Sequence, residues 1–247
     1  MSVYFAHATS FCGAVWGPVI SGLDGVECIT WDFAGHGAGP RLDLPVDWRV
    51  FGEQVLDETA PGGIGVGLSL GAASLTMAQL ADPYRFRFLV LIEPIIFPGP
   101  HGRRENTLSV ITIKRKRIFE SREAARDHFA SRDAFSNWVP SAVKAYVECG
   151  LVGEGPVELA CDPEVEADIY RASNVHDTWE RLGEIEIPVL VLAGETSDTI
   201  TPEFAREQTA QFRRAGLEVV PEAGHFLPME KPDLVAERIR RLVSAFS

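Results

Sequence analysis

Cysteine is scarce in this chain: Cys12, Cys28, Cys149 and Cys161 are the only four among 247 residues, and no two stand in a C-x-x-C pair. That scatter excludes a dense disulfide framework and argues against a structural zinc site. It reads as four free thiols in a reducing compartment. Long apolar runs are also missing, and no window approaches an uninterrupted membrane span. Residues 1–7 have no basic segment leading into an apolar core, so no signal peptide is visible. Positive charge is in deficit, with 23 Lys and Arg against 35 Asp and Glu and a formal net charge of −12. Such a surface does not suit nucleic-acid phosphates. His101, His128 and His176 lack metal-ligand spacing, and there is neither an internal repeat nor a low-complexity segment. The expectation is a cytoplasmic, soluble protein with no nucleic-acid, membrane or metal partner.

What is present is ordinary globular composition, 46% hydrophobic and 23% charged. The length suits one large domain, or one domain with an inserted lid. Six short apolar runs, residues 3–6, 27–32, 64–67, 88–92, 189–193 and 218–220, lack strict alternation, as parallel strands covered on both faces do. Helical stretches separate most of them. Asp47 can cap one carrying Val50, Phe51, Val55 and Leu56, and Leu70 to Ala81 forms another. Thr201-Pro202-Glu203 and Pro232-Asp233 open two more. Alternating strand and helix predicts an α/β sheet of about six mainly parallel strands. The alternation breaks between Glu93 and Ile187, where Pro/Gly segments and short helix starts at Ser121 and Asp162 appear. This predicts a core of residues 1–93 and 187–247 with a helical cap of residues 94–186 inserted into it.

The chemistry starts at Gly67-Leu68-Ser69-Leu70-Gly71, which follows the apolar run Ile64-Gly65-Val66 and precedes an alanine-rich stretch. A serine between two glycines at a strand-to-helix turn is pushed into a crevice, and the glycines leave room for the sharp bend. A serine hydroxyl is a poor nucleophile near neutral pH. It needs a base, a carboxylate to orient that base, and backbone donors for the developing oxyanion. Asp198 lies in the loop after the run 189–193, and His225 in Ala223-Gly224-His225-Phe226 after the next run. The Ser-Asp-His order matches the one expected for this turn.

With these motifs the chain resembles an α/β-hydrolase-fold serine hydrolase with a helical cap, over nearly its whole length. His7-Ala8-Thr9 is similar to the family's His-Gly-x oxyanion loop, and Asp32-Phe33-Ala34-Gly35-His36-Gly37 to its Asp-x-x-Gly-His-Gly segment. The resemblance implies Ser69 as nucleophile, His225 as general base and later acid, and Asp198 as the orienting carboxylate. It implies an oxyanion hole from the N–H groups of Thr9 and Leu70, and no organic cofactor. Glu93, ending the fourth run, is the acid position in some α/β hydrolases and stands as the alternative. Ala8 and Ala72 replace two common glycines, and Leu68 stands where many relatives carry a polar or aromatic residue. The chain starts almost at the strand that is usually third, so the customary N-terminal hairpin is expected to be absent. The strand at 27–32 then becomes an edge that a loop or a homo-oligomer partner is expected to cover.

The implied activity is hydrolysis of a carboxylic ester, lactone or thioester of a small acyl substrate through an acyl-enzyme on Ser69. The same triad serves carbon–carbon bond hydrolysis or a lyase-type proton transfer, and the fold also hosts non-catalytic ligand binders. Between Arg103 and Arg117 six basic residues face one acid, Glu105. This is a solvated helix face, or a cap surface that attracts an anionic substrate.

Overall fold

The computed structural model describes residues 1–246. Six parallel strands form the main sheet: β1 (Ser2–Ala6), β2 (Glu27–Thr30), β3 (Gly63–Leu68), β4 (Phe86–Ile92), β8 (Val189–Gly194) and β9 (Ala215–Val220). Their spatial order is β2-β1-β3-β4-β8-β9, and every neighbouring pair is parallel. Among the described residues β1 is the first element. All six expected runs are strands, and β9 extends upstream of the run 218–220.

Both faces of the sheet are buried, which explains the unbroken apolar runs. Along β1, Val3 and Phe5 enter one core cluster while Tyr4 and Ala6 enter the other. Along β4, Val90 and Ile92 part from Leu89 and Leu91 in the same way. This is the two-residue period of a strand with a hydrophobic layer on each side. Helices α2 (Arg49–Glu58), α3 (Leu70–Ala81) and α9 (Pro202–Thr209) pack on one face, and α1 (Gly17–Ile20) and α11 (Pro232–Phe246) on the other. Helix α9 starts as its sequence requires, with Thr201 accepting the Phe204 N–H and Pro202 at the first helical position.

Between β4 and β8 the chain leaves the sheet. It forms α4 (Thr107–Thr112), α5 (Arg122–Ala130), α6 (Pro140–Cys149), α7 (Pro163–Arg171) and α8 (Thr178–Arg181). Ser121 and Asp162 cap α5 and α7 by accepting the N–H groups of Ala124 and Glu164. Three very short strands, β5 (Ile118–Phe119), β6 (Leu151–Val152) and β7 (Val157–Leu159), join them in an antiparallel sheet ordered β5-β7-β6. Segments of two or three residues carry no readable period, so sequence patterning passes over them. Helix α10 (Leu227–Glu230) follows the last sheet strand. Among the described residues no helix is long and apolar enough to cross a membrane.

One expectation about the cysteines is corrected. Cys12 and Cys149 are disulfide-bonded, their Cα atoms 6.2 Å apart, and only Cys28 and Cys161 are free. The partners are 137 residues apart in sequence. Packing of the end of α6 onto the loop after β1 brings them together, which no local spacing reveals. The cysteines therefore lend no support to a reducing compartment.

The first turn of α3 approaches the end of β1 so closely that a Cβ on Gly71 would lie 2.1 Å from the Ala6 carbonyl oxygen. A Cβ on Gly67 would lie 2.6 Å from the Ala72 nitrogen. Gly71→Ala should thus lower stability by about 2–3 kcal/mol in urea unfolding. Gly216→Ala, where nothing lies within 4 Å, should change it by less than about 0.5 kcal/mol. Equal effects would show that the close approach is not what demands glycine.

Candidate active site

The turn between β3 and α3 holds Ser69 at φ 56 and ψ −112, a left-handed conformation that a serine adopts only when its surroundings impose it. The imposition comes from both flanks. The Ser69 N–H donates to the Ile92 carbonyl at 2.9 Å, and the Ala73 N–H returns to the Ser69 carbonyl at 3.1 Å. The residue is 6% exposed.

His225 reaches this serine from the loop after β9. Its Nε2 lies 3.2 Å from Ser69 Oγ, and its Nδ1 lies 2.9 Å from Glu93 Oε2. The carboxylate only accepts, so Nδ1 carries the proton and Nε2 is the acceptor facing the hydroxyl. Ser69 and His225 are therefore in contact, as the sequence motifs imply.

Asp198 is not beside the imidazole, and the expected orienting role is corrected. Its side chain is exposed and, among the described residues, accepts only from Thr199 Oγ1, at 3.3 Å. The loop after β8 folds inward one residue earlier. Glu195 N–H donates to the Val220 carbonyl and Thr196 N–H to the Ala223 carbonyl, each at 2.9 Å. This turns Ser197 toward the site and Asp198 toward water. Ser197 Oγ then donates to Glu93 Oε2 at 2.6 Å.

Glu93 occupies the position next to the ring. It ends β4 at φ 50, is 0% exposed, and accepts from Gly194 N–H at 2.7 Å as well as from Ser197 and His225. A buried carboxylate is tolerated when its lone pairs are met, and here three donors from β8, its following loop and His225 meet them. A signal for it existed in the sequence. Glu93 stands alone among Phe88-Leu89-Val90-Leu91-Ile92 and Ile95-Ile96-Phe97, and an acid in such a run is buried at cost unless it serves something.

The loop after β1 completes the site. His7 is fully buried, and burial lowers its pKa to about 4 despite its bond to Ala8. The neutral ring accepts from Phe33 N–H at 2.9 Å through Nε2 and donates to the Ala8 carbonyl at 2.8 Å through Nδ1. It thereby pins the start of the loop. His36 bonds the Ala34 carbonyl at 2.9 Å, and burial, then the neighbouring His7, lower its pKa to about 3. Among the described residues, neither the Thr9 N–H nor the Leu70 N–H has an acceptor.

The inserted segment packs against the site loops. Trp138 lies edge-on to Phe11 and Phe226, ring centroids 5.3 and 5.4 Å away, and Val139 N–H donates to the Met229 carbonyl at 2.9 Å. Trp179 is elsewhere, stacked on Phe204. The basic run of residues 103–117 is not a free positive patch. Arg103 pairs with Asp168, Arg115 with Glu166, and Arg117 with Asp162, so these three lie along the acids of α7 and its N-cap, while Arg104 donates to the Pro100 carbonyl at 2.6 Å. Among the described residues no group of three or more His, Cys, Asp or Glu side chains could hold a metal ion.

Comparison with known proteins matches residues 3–238 to the profile of the Alpha/beta hydrolase family. The Abhydrolase domain-containing protein ACTT2-1 of Alternaria alternata is 27% identical over 218 aligned residues, covering 71% of this chain and 82% of that protein. The solved structure of the peroxisomal alpha-beta-hydrolase Lpx1 of Saccharomyces cerevisiae superposes with a TM-score of 0.86 at 19% identity, covering 99% of this chain and 77% of that one. The esterase Rv0045c of Mycobacterium tuberculosis superposes at 0.77 with 21% identity, covering 99% and 84%.

The buried histidines set an acid limit on stability. His7, His36 and His176 are each lowered from 6.5, to about 4, about 3 and about 4, foremost by burial. The unfolded chain binds their protons first, so their contribution is full above pH 6.5 and is lost as pH falls toward 4. Each adds a slope of up to about 1.4 kcal/mol per pH unit in that window. Urea unfolding between pH 7 and 4.5 should show stability falling steadily, and His36→Gln should flatten the slope by about one group's share. An unchanged slope in that variant would mean His36 is not held neutral.

Proposed function

Because the chain belongs to the alpha/beta hydrolase family, which makes hydrolysis its activity class, we propose that it cleaves a carboxylic ester through an acyl-enzyme on Ser69. The observation that carries this reading is the unbroken relay from Ser69 Oγ to His225 Nε2 and from His225 Nδ1 to Glu93, at 3.2 and 2.9 Å. A hydroxyl in contact with an unprotonated ring nitrogen can lose its proton as it attacks. Glu93 stabilises the imidazolium that results and fixes the tautomer beforehand.

In this mechanism Ser69 Oγ adds to the substrate carbonyl carbon while its proton passes to His225 Nε2. The carbonyl oxygen becomes an oxyanion and takes the free N–H groups of Leu70 and Thr9. Collapse expels the alcohol, which leaves with the proton from Nε2. Water then repeats the sequence on the acyl-enzyme, and Ser69 is restored. Lactones and thioesters present the same electrophilic carbonyl and pass through the same steps. The inserted segment acts as a cap, and Phe11, Trp138 and Phe226 form the apolar wall next to His225 that receives the acyl or alcohol group.

Ser69→Ala should lower kcat on p-nitrophenyl butyrate by roughly four to six orders of magnitude and abolish labelling by a fluorophosphonate. Near-normal turnover in that variant would defeat the acyl-enzyme. In the same assay Glu93→Gln should cost about 10³- to 10⁴-fold, while Asp198→Asn should stay within about twofold. The reverse ranking would return the orienting role to Asp198.

A further inference from the structure

Directly after Thr9 the chain passes through Ser10 at φ 73, a second left-handed residue that is not glycine. Its side chain is buried and donates to Glu166 Oε1, from α7. Glu166 is 3% exposed, and its other oxygen accepts from Arg115. Arg115 also lies 3.3 Å from Ser10 Oγ and donates to the Tyr146 hydroxyl at 3.0 Å. Burial opposes the Arg115 charge, but Tyr146 and Glu166 outweigh it and hold the guanidinium protonated. Glu166 of α7 and Arg115 of the stretch after α4 thus converge on a single hydroxyl of the loop after β1, and Tyr146 of α6 steadies Arg115 behind them.

A left-handed serine is disfavoured in isolation, so this conformation persists because something holds it. The hydroxyl bond to Glu166 is part of that hold, together with the side-chain hydrogen bond that Tyr170 of α7 makes with Ser10. The Ala8 carbonyl, in the same peptide plane as the Thr9 N–H, accepts from Phe11 N–H at 3.2 Å and from His7 Nδ1 at 2.8 Å, and the anchored Ser10 restrains the chain on the other side of Thr9, so the Thr9 N–H is held between two fixed points. We propose that Glu166 is a positioning residue. By accepting the Ser10 hydroxyl, with Arg115 and Tyr146 bracing it, it aims the Thr9 N–H at the oxyanion, so the inserted segment completes the oxyanion hole as well as walling the pocket. This rests on the reading of Thr9 and Ser69 given above.

Ser10→Ala cuts the link and leaves the Arg115–Glu166 pair intact, and Glu166→Gln weakens it from the other side. Each variant, and the two combined, should be measured for hydrolysis of p-nitrophenyl butyrate, inhibition by phenylboronic acid and thermal unfolding. Phenylboronic acid forms a tetrahedral anion on the serine and so reports the oxyanion hole without turnover. Losing one oxyanion donor entirely costs about 10²–10³ in kcat, so misaiming it should cost about 10- to 100-fold. KM should move less than about threefold, and boronate affinity should fall by a factor similar to that for kcat. The combined variant should be little worse than either alone, because both cut one link.

Unchanged kcat and boronate affinity in a folded Ser10→Ala would overturn the proposal, as would a loss confined to KM or to melting temperature. If Glu166→Gln does not fold, Ser10→Ala decides alone. A Ser69→Ala variant that is dead beside an unaffected Ser10→Ala would sink this inference and leave the hydrolase mechanism standing. Full turnover in Ser69→Ala would sink both.

Discussion

The Glu93 carboxylate has no contact with solvent, and a group of that kind can be buried only where donors surround it. Meeting that demand organises the end of the sheet that carries the candidate site. It requires the left-handed turn that ends β4, the Gly194 N–H at the end of β8, and the inward Ser197 of the loop that follows. The third donor is His225, whose ring is thereby oriented with its free nitrogen on Ser69. Local stability and the geometry of the candidate site are one requirement here, because the same hydrogen bond serves both.

The same device recurs on the other side of the serine. Glu166 is also buried, and it also spends its lone pairs on a hydroxyl and a cation. The first carboxylate ties strands of the sheet together, whereas the second ties the inserted segment to the loop after β1. The Cys12–Cys149 bond joins the same two regions a short distance along. Aromatic packing of Trp138 and Tyr146 on Phe11 fills the space between them. Arg103, Arg115 and Arg117 share in this docking, since their acidic partners lie on or just before α7. A run that reads as a charged surface in one dimension has three of its six basic residues paired with acids in three.

Most of the sheet is legible because the four central strands, β1, β3, β4 and β8, are largely buried on both faces and leave apolar runs, whereas β2 and β9 at the edges are partly exposed. The helix starts at Ser121, Asp162 and Thr201 were equally legible, since a cap is a contact between residues two or three apart. Ser69 and His225 were found because each sits in a loop of recognisable local composition. The same local logic points to Asp198, whereas the structure places Glu93 against the ring. Which of Ser197 and Asp198 turns inward depends on hydrogen bonds from Glu195 and Thr196 to the end of β9 and the loop beyond it. The short strands of the insertion were invisible for want of length.

The sequence alone thus determined what depends on neighbours along the chain: the alternation of strand and helix, the caps, the glycine-flanked turn and the histidine that serves it. Tertiary structure decided what depends on residues more than a hundred positions apart. It paired Glu93 with His225, Ser10 with Glu166, and Cys12 with Cys149. The reason lies in the range of the forces. Backbone propensity and capping act over a few residues and leave a trace in any short window, whereas burial of a charge or closure of a long loop is settled only when distant segments pack.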